Sequence, residues 1–316
     1  MSFCEYSPSL IAGGTYSGQV VLWDIRTSKR TPVSEKRTPV QRSNINSSSH
    51  THPVFCLNIA GTQNAHFLVS TSTDGKMCTW DLDTLSEPRK ETLDLQSGTN
   101  KPIAGTCFSF PVNDANNFVL GSEEGSIFQA CLHGAKAGLL GSFEEGSSDQ
   151  GSTSSHHGPV TGVDFFRATT KGDFSHLFLS SSTDWTVKLW SYRDTTKPLK
   201  TFDNAQDYVY DVKWSPINPA VFATADGIGN LEIWHLNKNL EEPYTKLAIG
   251  EGKTAINKIE WSGDGKHIAV GSSDGQVTLV DVAPHLAEAS MDEGGKLKET
   301  LKEIQDSIAE AGAATA

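Results

Sequence analysis

The chain has 316 residues, of which 37% are hydrophobic and 9% aromatic, and its formal net charge is −12. This composition supports a large buried core and argues against a disordered chain. The strong negative charge argues against binding to nucleic acid or to an anionic membrane surface. No apolar stretch reaches the ~20 residues of a membrane span and no signal peptide is evident, so we expect a soluble, cytoplasmic protein.

The five cysteines predict reduced, buried thiols. They include no Cys-x-x-Cys pair, and most of them fall in apolar runs that are typical of strands. Because disulfides are rare in intracellular proteins, we expect no bridge.

One motif recurs along the chain: an apolar run, a turn of Ser, Thr, Asp or Gly, a second apolar run and usually a Trp. Residues 177–190 are its clearest copy, and the copies end at positions 23, 80, 130, 190, 234 and 280. The copy that ends at 130 has lost its Trp. The two shortest intervals lie near the ~40–45 residues of a WD repeat, which supplies four strands to one propeller blade.

The first repeat begins at about Phe3, with residues 10–12 as its second strand and Ser17-Gly18 as its turn. In every later repeat the second strand is almost wholly apolar, as is typical of a central strand. Turn residues follow it, mostly Asp-Gly, which indicates a hairpin. The sequence therefore predicts an all-β fold, a WD-repeat β-propeller of six recognisable blades over residues 1–283.

Two polar segments, residues 26–52 and 144–157, lengthen the intervals between repeats, and we expect them to be mobile surface insertions. The first contains the pentapeptide Lys-Arg-Thr-Pro-Val twice, with Thr31 and Thr38 at its centres. This segment is either a solvated linker or a docking segment controlled by phosphorylation of the two threonines.

The tail, residues 284–316, changes to a helical period. We predict an amphipathic helix over about 291–309, with Ser290 and Glu293 as a capping box. Its apolar stripe must be buried against the propeller or against a helix of a partner, and both alternatives remain open. The stripe consists of Leu297, Leu301, Ile304 and Ile308.

Two repeats carry the same four polar or aromatic residue types. Ser, His and Asp together suggest a hydrolase triad, but a catalytic site would occur once, whereas this set occurs twice. We therefore predict a structural hydrogen-bonded network in each of the two blades, and no enzyme activity. The two sets are His50, Ser70, Asp74 and Trp80, and His156, Ser180, Asp184 and Trp190.

Neither a metal nor a cofactor is expected. The adjacent histidines, His50 with His52 and His156 with His157, have no cysteine nearby to complete a zinc site. The glycine-rich stretches at 121–125 and 227–229 are followed by strands, whereas a phosphate site needs the N-terminus of a helix. We expect them to be hairpin turns.

Large aromatic residues at turn tips and blade entries are candidates for a surface that binds a partner. Tyr16, Trp185 and Tyr208 hold such positions, while packing in the core explains Trp214. Trp and Tyr are enriched at protein interfaces because they combine a large apolar area with a polar group.

Several stretches resemble one family closely. They include His133-Gly-Ala-Lys, the turn Asp184-Trp185, the run from Asp207 to Pro216, and residues 13–24 and 117–126. Together with the remaining repeats they are similar to the cytoplasmic dynein intermediate chain from about Pro8 to Val282.

The resemblance implies a non-catalytic motor subunit, associated with microtubules, whose propeller binds the tail of the dynein heavy chain. In this family a separate N-terminal region contacts dynactin and the light chains, and the propeller begins one blade earlier, with seven blades in all. We therefore expect that region and one blade to be missing from this sequence. The alternative is a generic WD-repeat scaffold that recognises peptides, in chromatin or in a ubiquitin ligase.

Overall fold

The computed structural model describes residues 1–4, 6–26, 39–46, 48–89, 92–96, 101–112, 114–134, 136–143, 155–168, 173–194, 197–290 and 292–314. These ranges form six antiparallel sheets, which we number as blades 1–6 in chain order, and a C-terminal helix. The predicted fold class, a WD-repeat β-propeller with a C-terminal helix, is confirmed. The chain divides into two compact units, Met1–Phe110 with Asp114–Glu123 and Phe128–Gly141, and Pro111–Asn113 with Glu124–Ile127 and Ser142–Ala316.

The first unit contains blades 1 and 2 and most of blade 3. Neighbouring blades contact each other through their first two strands, with β5 (Val54–Thr62) against β2 (Ser7–Gly14), and β9 (Gly105–Ser109) against β5 and β6 (Ala65–Ser72). The strands of these blades are β1 Ser2–Cys4, β2 Ser7–Gly14, β3 Val20–Asp24, β4 Gln41–Arg42, β5 Val54–Thr62, β6 Ala65–Ser72, β7 Lys76–Trp80, β8 Leu93–Asp94, β9 Gly105–Ser109, β10 Asn117–Ser122, β11 Ile127–Cys131 and β12 Gly138–Phe143.

The second unit contains blades 4 to 6 and two helices. Within this unit, the first strand of blade 5 packs on blade 4, and the first strand of blade 6 packs on blade 5. The elements are β13 Val160–Phe165, β14 Leu177–Ser182, β15 Val187–Ser191, β16 Lys200–Phe202, β17 Val209–Trp214, β18 Val221–Asp226, β19 Asn230–His235, β20 Thr245–Ala248, β21 Ile256–Trp261, β22 His267–Ser272, β23 Val277–Asp281, α1 Pro284–Ala287 and α2 Glu293–Ala314.

The apolar second strands lie where the sequence places them, in the interior of each sheet. Every residue of β14 and of β18 is buried, because each of these strands pairs on both sides and packs on both faces. Such continuous burial explains why these strands are apolar throughout rather than alternating. The hairpin turns that follow β14 and β18 are therefore held by rigid strands.

The two polar segments expected to be mobile insertions are partly built into the blades. Gln41–Arg42 forms β4, which pairs with β3, and the buried Ser43 hydroxyl accepts a hydrogen bond from Val20 N at 2.9 Å. Ser155 and His156 are buried as well. The expectation is thus wrong for these described residues, because they complete blade edges and networks. The Lys-Arg-Thr-Pro-Val copies with Thr31 and Thr38, and residues 144–154, lie outside the described ranges.

Helix α2 packs on the second unit through its apolar stripe. Leu297, Leu301 and Ile304 are buried in one core cluster with side chains of blades 4 and 5, and Ile308 packs at its edge. The stripe is therefore buried against the propeller, which was the first of the two predicted alternatives. The stripe is not an open partner surface, because the propeller's own apolar side chains already cover it. The cluster includes Phe166, Phe174, Leu199 and Leu236.

Blade 6 has three strands in the described chain, whereas the other five sheets have four. Strand β23 is its outer edge, and Val277 and Leu279 are 77% and 65% exposed. The corresponding residues of blade 4, Val187 and Leu189, are buried. Exposed backbone and apolar side chains on an edge strand can pair with another chain.

Two further predictions concern cysteines and membranes. No disulfide joins the five cysteines, which all lie in the described ranges; four are buried as expected, whereas Cys56 is only partly buried. Burial raises the pKa of Cys78 to about 12. Within the described residues, no helix combines the length and the apolar character that crossing a membrane requires.

Candidate functional site

The four predicted network residues of blade 4 form a linear chain in which each lies within hydrogen-bonding distance of the next. Trp190 Nε1 donates to Ser180 Oγ at 2.9 Å, and Ser180 Oγ lies 2.7 Å from His156 Nε2. His156 Nδ1 lies 3.0 Å from Asp184 Oδ2. The network joins the third strand, the second strand, the loop before the blade and the hairpin turn.

Blade 2 repeats the arrangement. Trp80 Nε1 donates to Ser70 Oγ at 2.8 Å, and Ser70 Oγ lies 2.7 Å from His50 Nε2. His50 Nδ1 is 3.4 Å from Asp74 Oδ1, and Thr51 N donates to the other carboxylate oxygen at 2.9 Å. The same hydrogen bonds therefore hold two blades in different units.

In the blade 4 network, the two terminal residues, Asp184 and Trp190, determine which atoms donate and which accept. An ionised carboxylate only accepts, so His156 carries its proton on Nδ1 and its Nε2 accepts from the Ser180 hydroxyl. Ser180 Oγ then accepts the indole N–H of Trp190. This order resembles a hydrolase triad, but Ser180 and His156 are fully buried and no substrate can reach the hydroxyl. The geometry fits a structural role.

Both network carboxylates are stabilised in their charged form. Burial by itself would raise the pKa of Asp74, but hydrogen bonds from His50, Thr51 N and Lys76 N outweigh it and lower the pKa to about 2. The pKa of Asp184 is also lowered, because hydrogen bonds from His156, Thr186 and His157 N outweigh the effect of burial. Both carboxylates are thus ionised at neutral pH.

Sequence reasoning missed one member of the blade 4 network. Thr186 Oγ1 donates to Asp184 Oδ1 at 2.7 Å and lies 3.1 Å from His156 Nδ1. A hydroxyl residue two positions after the turn aspartate was the available signal. Also missed were two aspartates that join neighbouring blades. Asp164 accepts a hydrogen bond from Trp214 N at 2.8 Å, and Asp211 accepts one from Ile259 N at 3.1 Å.

The histidines that were considered as metal ligands have other roles or positions. His50 and His156 are buried in the networks, whereas His52 and His157 are exposed. Within the described ranges, no group of three or more His, Cys, Asp or Glu side chains could hold a metal ion. The glycine-rich stretches at 121–125 and 227–229 form hairpin turns.

The three aromatic residues expected at a partner surface are exposed. Tyr16 is 89% exposed in the turn of blade 1, and Trp185 is 49% exposed in the corresponding turn of blade 4. Tyr208 is 45% exposed just before β17. These side chains are not core residues, and Tyr16 lies in a different unit from the other two.

Comparisons with known proteins agree with the geometry of the blades. The family model for the WD domain, G-beta repeat, matches residues 148–191, which include the whole blade 4 network. The model for the anaphase-promoting complex subunit 4 WD40 domain matches residues 230–291.

Over a much longer range, the cytoplasmic dynein 1 intermediate chain of Drosophila melanogaster is 45% identical to this chain across 303 residues. The match covers 96% of this chain and 43% of the fly protein, so the chain spans less than half the length of that relative. The predicted resemblance is confirmed, and the chain is a WD-repeat relative of the cytoplasmic dynein intermediate chains.

Proposed function

We propose that this protein is a non-catalytic intermediate chain of cytoplasmic dynein whose blades bind the tail of the dynein heavy chain. The identity of 45% over 303 residues to the fly intermediate chain carries the proposal. Its place in the cell is then the cytoplasm, on microtubules, and its task is to hold motor subunits together during transport. We assign contacts with dynactin and light chains to the N-terminal region of the family and not to the blades.

The chemistry of the blades supports a scaffold. The serine and histidine of each network are buried, and their hydrogen bonds stabilise the hairpin turns on which surface side chains stand. Rigid turns lower the conformational entropy that a surface loses on binding. A binding scaffold benefits from this rigidity, whereas a hydrolase needs an accessible nucleophile.

Affinity purification tests the proposal. The tagged full chain is expressed in cells of its own organism, and proteins bound to it are identified by mass spectrometry. We expect the dynein heavy chain to be enriched over a control bait, an unrelated WD-repeat propeller with a similar net charge. Purified tail of the heavy chain should also bind the purified chain directly. Failure of both assays would refute the proposal.

A second candidate is an adaptor that recognises peptides in another complex. The match of residues 230–291 to the anaphase-promoting complex model favours it, although that match covers a much shorter part of the chain. The same purification separates the two candidates. Reproducible recovery of ubiquitin ligase subunits or histones without dynein would favour the adaptor.

A further inference from the structure

The hairpin turns between the second and third strands share one backbone conformation, and blade 4 differs in the residue that adopts it. Each of the six described turns has one residue with positive φ. Trp185 adopts it in blade 4 with φ of 70°. Glycine adopts it in the others, with φ of 85° at Gly18, 77° at Gly75, 89° at Gly125, 102° at Gly229 and 84° at Gly275.

A tryptophan at this position lowers the stability of the turn. Left-handed backbone brings Cβ close to the following carbonyl oxygen, so glycine adopts it without strain and a bulky residue does not. Trp185 also leaves half of a large apolar side chain in water. Strain of this kind is concentrated at binding sites, where the surrounding structure compensates for it.

The equivalent turns of the other blades indicate which part of the chain lies next to the Cβ of Trp185. A Cβ added to Gly18 would lie 2.7 Å from His50 O, and one added to Gly229 would lie 2.5 Å from Thr254 O. In each case the neighbour belongs to the loop just before the first strand of the next blade. The same holds at Gly75 and Gly125, next to Pro102 and His156. At the same offset from β17, the corresponding residues for Trp185 are 205–207, which are followed by Tyr208.

That loop presents aromatic and acidic groups together. Tyr208 and Tyr210 form an edge-to-face pair with ring centres 6.3 Å apart. Asp207 Oδ1 accepts a hydrogen bond from Tyr208 N at 2.8 Å, so its carboxylate is fixed beside the tyrosines.

Aromatic faces beside carboxylates suit one kind of occupant. Arg and Lys bind aromatic faces through cation–π contacts and bind carboxylates through charge-assisted hydrogen bonds. The net charge of −12 on the chain further favours a basic partner. A large apolar side chain in the same segment would pack on the Trp185 ring.

We propose that Trp185, Asp207, Tyr208 and Tyr210 form a docking surface for a basic segment of a partner, one that carries Arg or Lys among apolar side chains. The inference rests on the proposed function: the segment belongs to the tail of the dynein heavy chain. Trp185 is the anchor of the contact, and the Asp207 carboxylate selects for positive charge.

Binding of the purified full chain to the purified heavy-chain tail tests the surface. Trp185→Gly introduces the residue that the turns of the other blades have at this position, so the variant should be at least as stable as the wild type. We expect it to bind the heavy-chain tail at least tenfold more weakly. Asp207→Asn retains an acceptor for Tyr208 N, and we expect weaker binding that depends less on salt. Leu247→Ala, an exposed apolar residue on β20, is the matched control and should bind like the wild type.

The outcomes separate this inference from the proposed function. If the wild type binds the tail and Trp185→Gly binds within twofold of it, the docking surface is wrong while the function stands. If Trp185→Gly weakens binding and Asp207→Asn does not, the occupant is not basic and the proposal is overturned. If the wild type does not bind the purified tail, the docking surface is overturned, and the proposed function fails as well if the heavy chain is also not recovered from cells.

Discussion

His156 Nδ1 lies 3.0 Å from Asp184 Oδ2, and this contact joins the loop before blade 4 to the turn between its second and third strands. The backbone of that turn is further held by His157 N and Thr186 N, which donate to the same carboxylate at 2.9 and 3.0 Å. Because the carboxylate orders both segments, it also fixes the position from which the Trp185 side chain leaves the backbone.

The network should contribute to stability and not to catalysis. Trp190→Phe removes the indole N–H that Ser180 accepts and leaves a smaller ring in a buried site. We expect the free energy of unfolding to fall by about 2–3 kcal/mol, of which the hydrogen bond accounts for roughly 1 kcal/mol. Urea denaturation measures it. Trp185→Phe, the same change at an exposed site, should stay within about 0.5 kcal/mol of the wild type. Equal effects of the two changes would contradict the network.

Stability should fall in acid because of Asp74. Its pKa is about 2 in the fold, against 3.8 for an unperturbed aspartate. A carboxylate with a lowered pKa stabilises the fold above the unfolded pKa, and this stabilisation is lost as the pH falls through the folded pKa. We therefore expect a loss of roughly 2 kcal/mol between about pH 4 and pH 2. Denaturation curves across this range measure it, and Asp74→Asn should flatten the dependence. An unchanged slope in the variant would refute this account.

Helix α2 should behave as part of the second unit. Leu301→Ala removes a buried side chain from the cluster shared with blades 4 and 5, and we expect a loss of about 2–4 kcal/mol. Thermal unfolding followed by circular dichroism measures it. Lys298→Ala on the exposed face of the helix is the control and should change stability by less than about 0.5 kcal/mol. A helix that melts separately, well below the blades, would contradict this packing.

The turn of blade 4 should gain stability from glycine. Trp185→Gly removes the strain of a positive φ, and we expect the free energy of unfolding to rise by up to about 1 kcal/mol. Gly75→Ala should have the opposite effect on stability. Residue 75 has a positive φ, and a Cβ added there would lie 2.6 Å from Pro102 Cβ. It should lower stability by more than about 1 kcal/mol. Destabilisation by Trp185→Gly would show that the side chain is held by packing and not kept for binding.

The edge of blade 6 should promote association between chains. Val277 and Leu279 stand exposed on β23, whose outer side is unpaired in the described structure. A lysine on an edge strand opposes pairing, so Val277→Lys should lower the apparent mass at high protein concentration in sedimentation experiments. Thr278→Lys, on the same strand, tests whether charge alone has this effect. Identical sedimentation of the wild type and Val277→Lys would contradict the prediction.

Much of the fold was predictable because its signals are local. The recurring turn, the apolar second strand and the Trp identify blades wherever they occur, and the repetition of His, Ser, Asp and Trp in two blades distinguished a network from a triad. Strand Gln41–Arg42 was not predictable, since two polar residues within a polar segment carry no strand signal. In blade 5 the Asp-Gly pair is Asp226-Gly227, but the positive φ lies two residues later, at Gly229. The reason is that the Asp226 carboxylate accepts hydrogen bonds from the backbone N–H groups of residues 228–230.

The sequence by itself determined the class of fold, the family and the presence of an amphipathic helix, because hydrophobic period and turn chemistry act over a few residues. Only the tertiary structure decided which surface covers the stripe of Leu297, Leu301 and Ile304, since amphipathicity requires a partner without naming one. It also decided that Trp185 is half-exposed and adopts the positive φ that glycine has in the turns of the other blades. Segments far apart in the chain form that environment, and no local pattern encodes it.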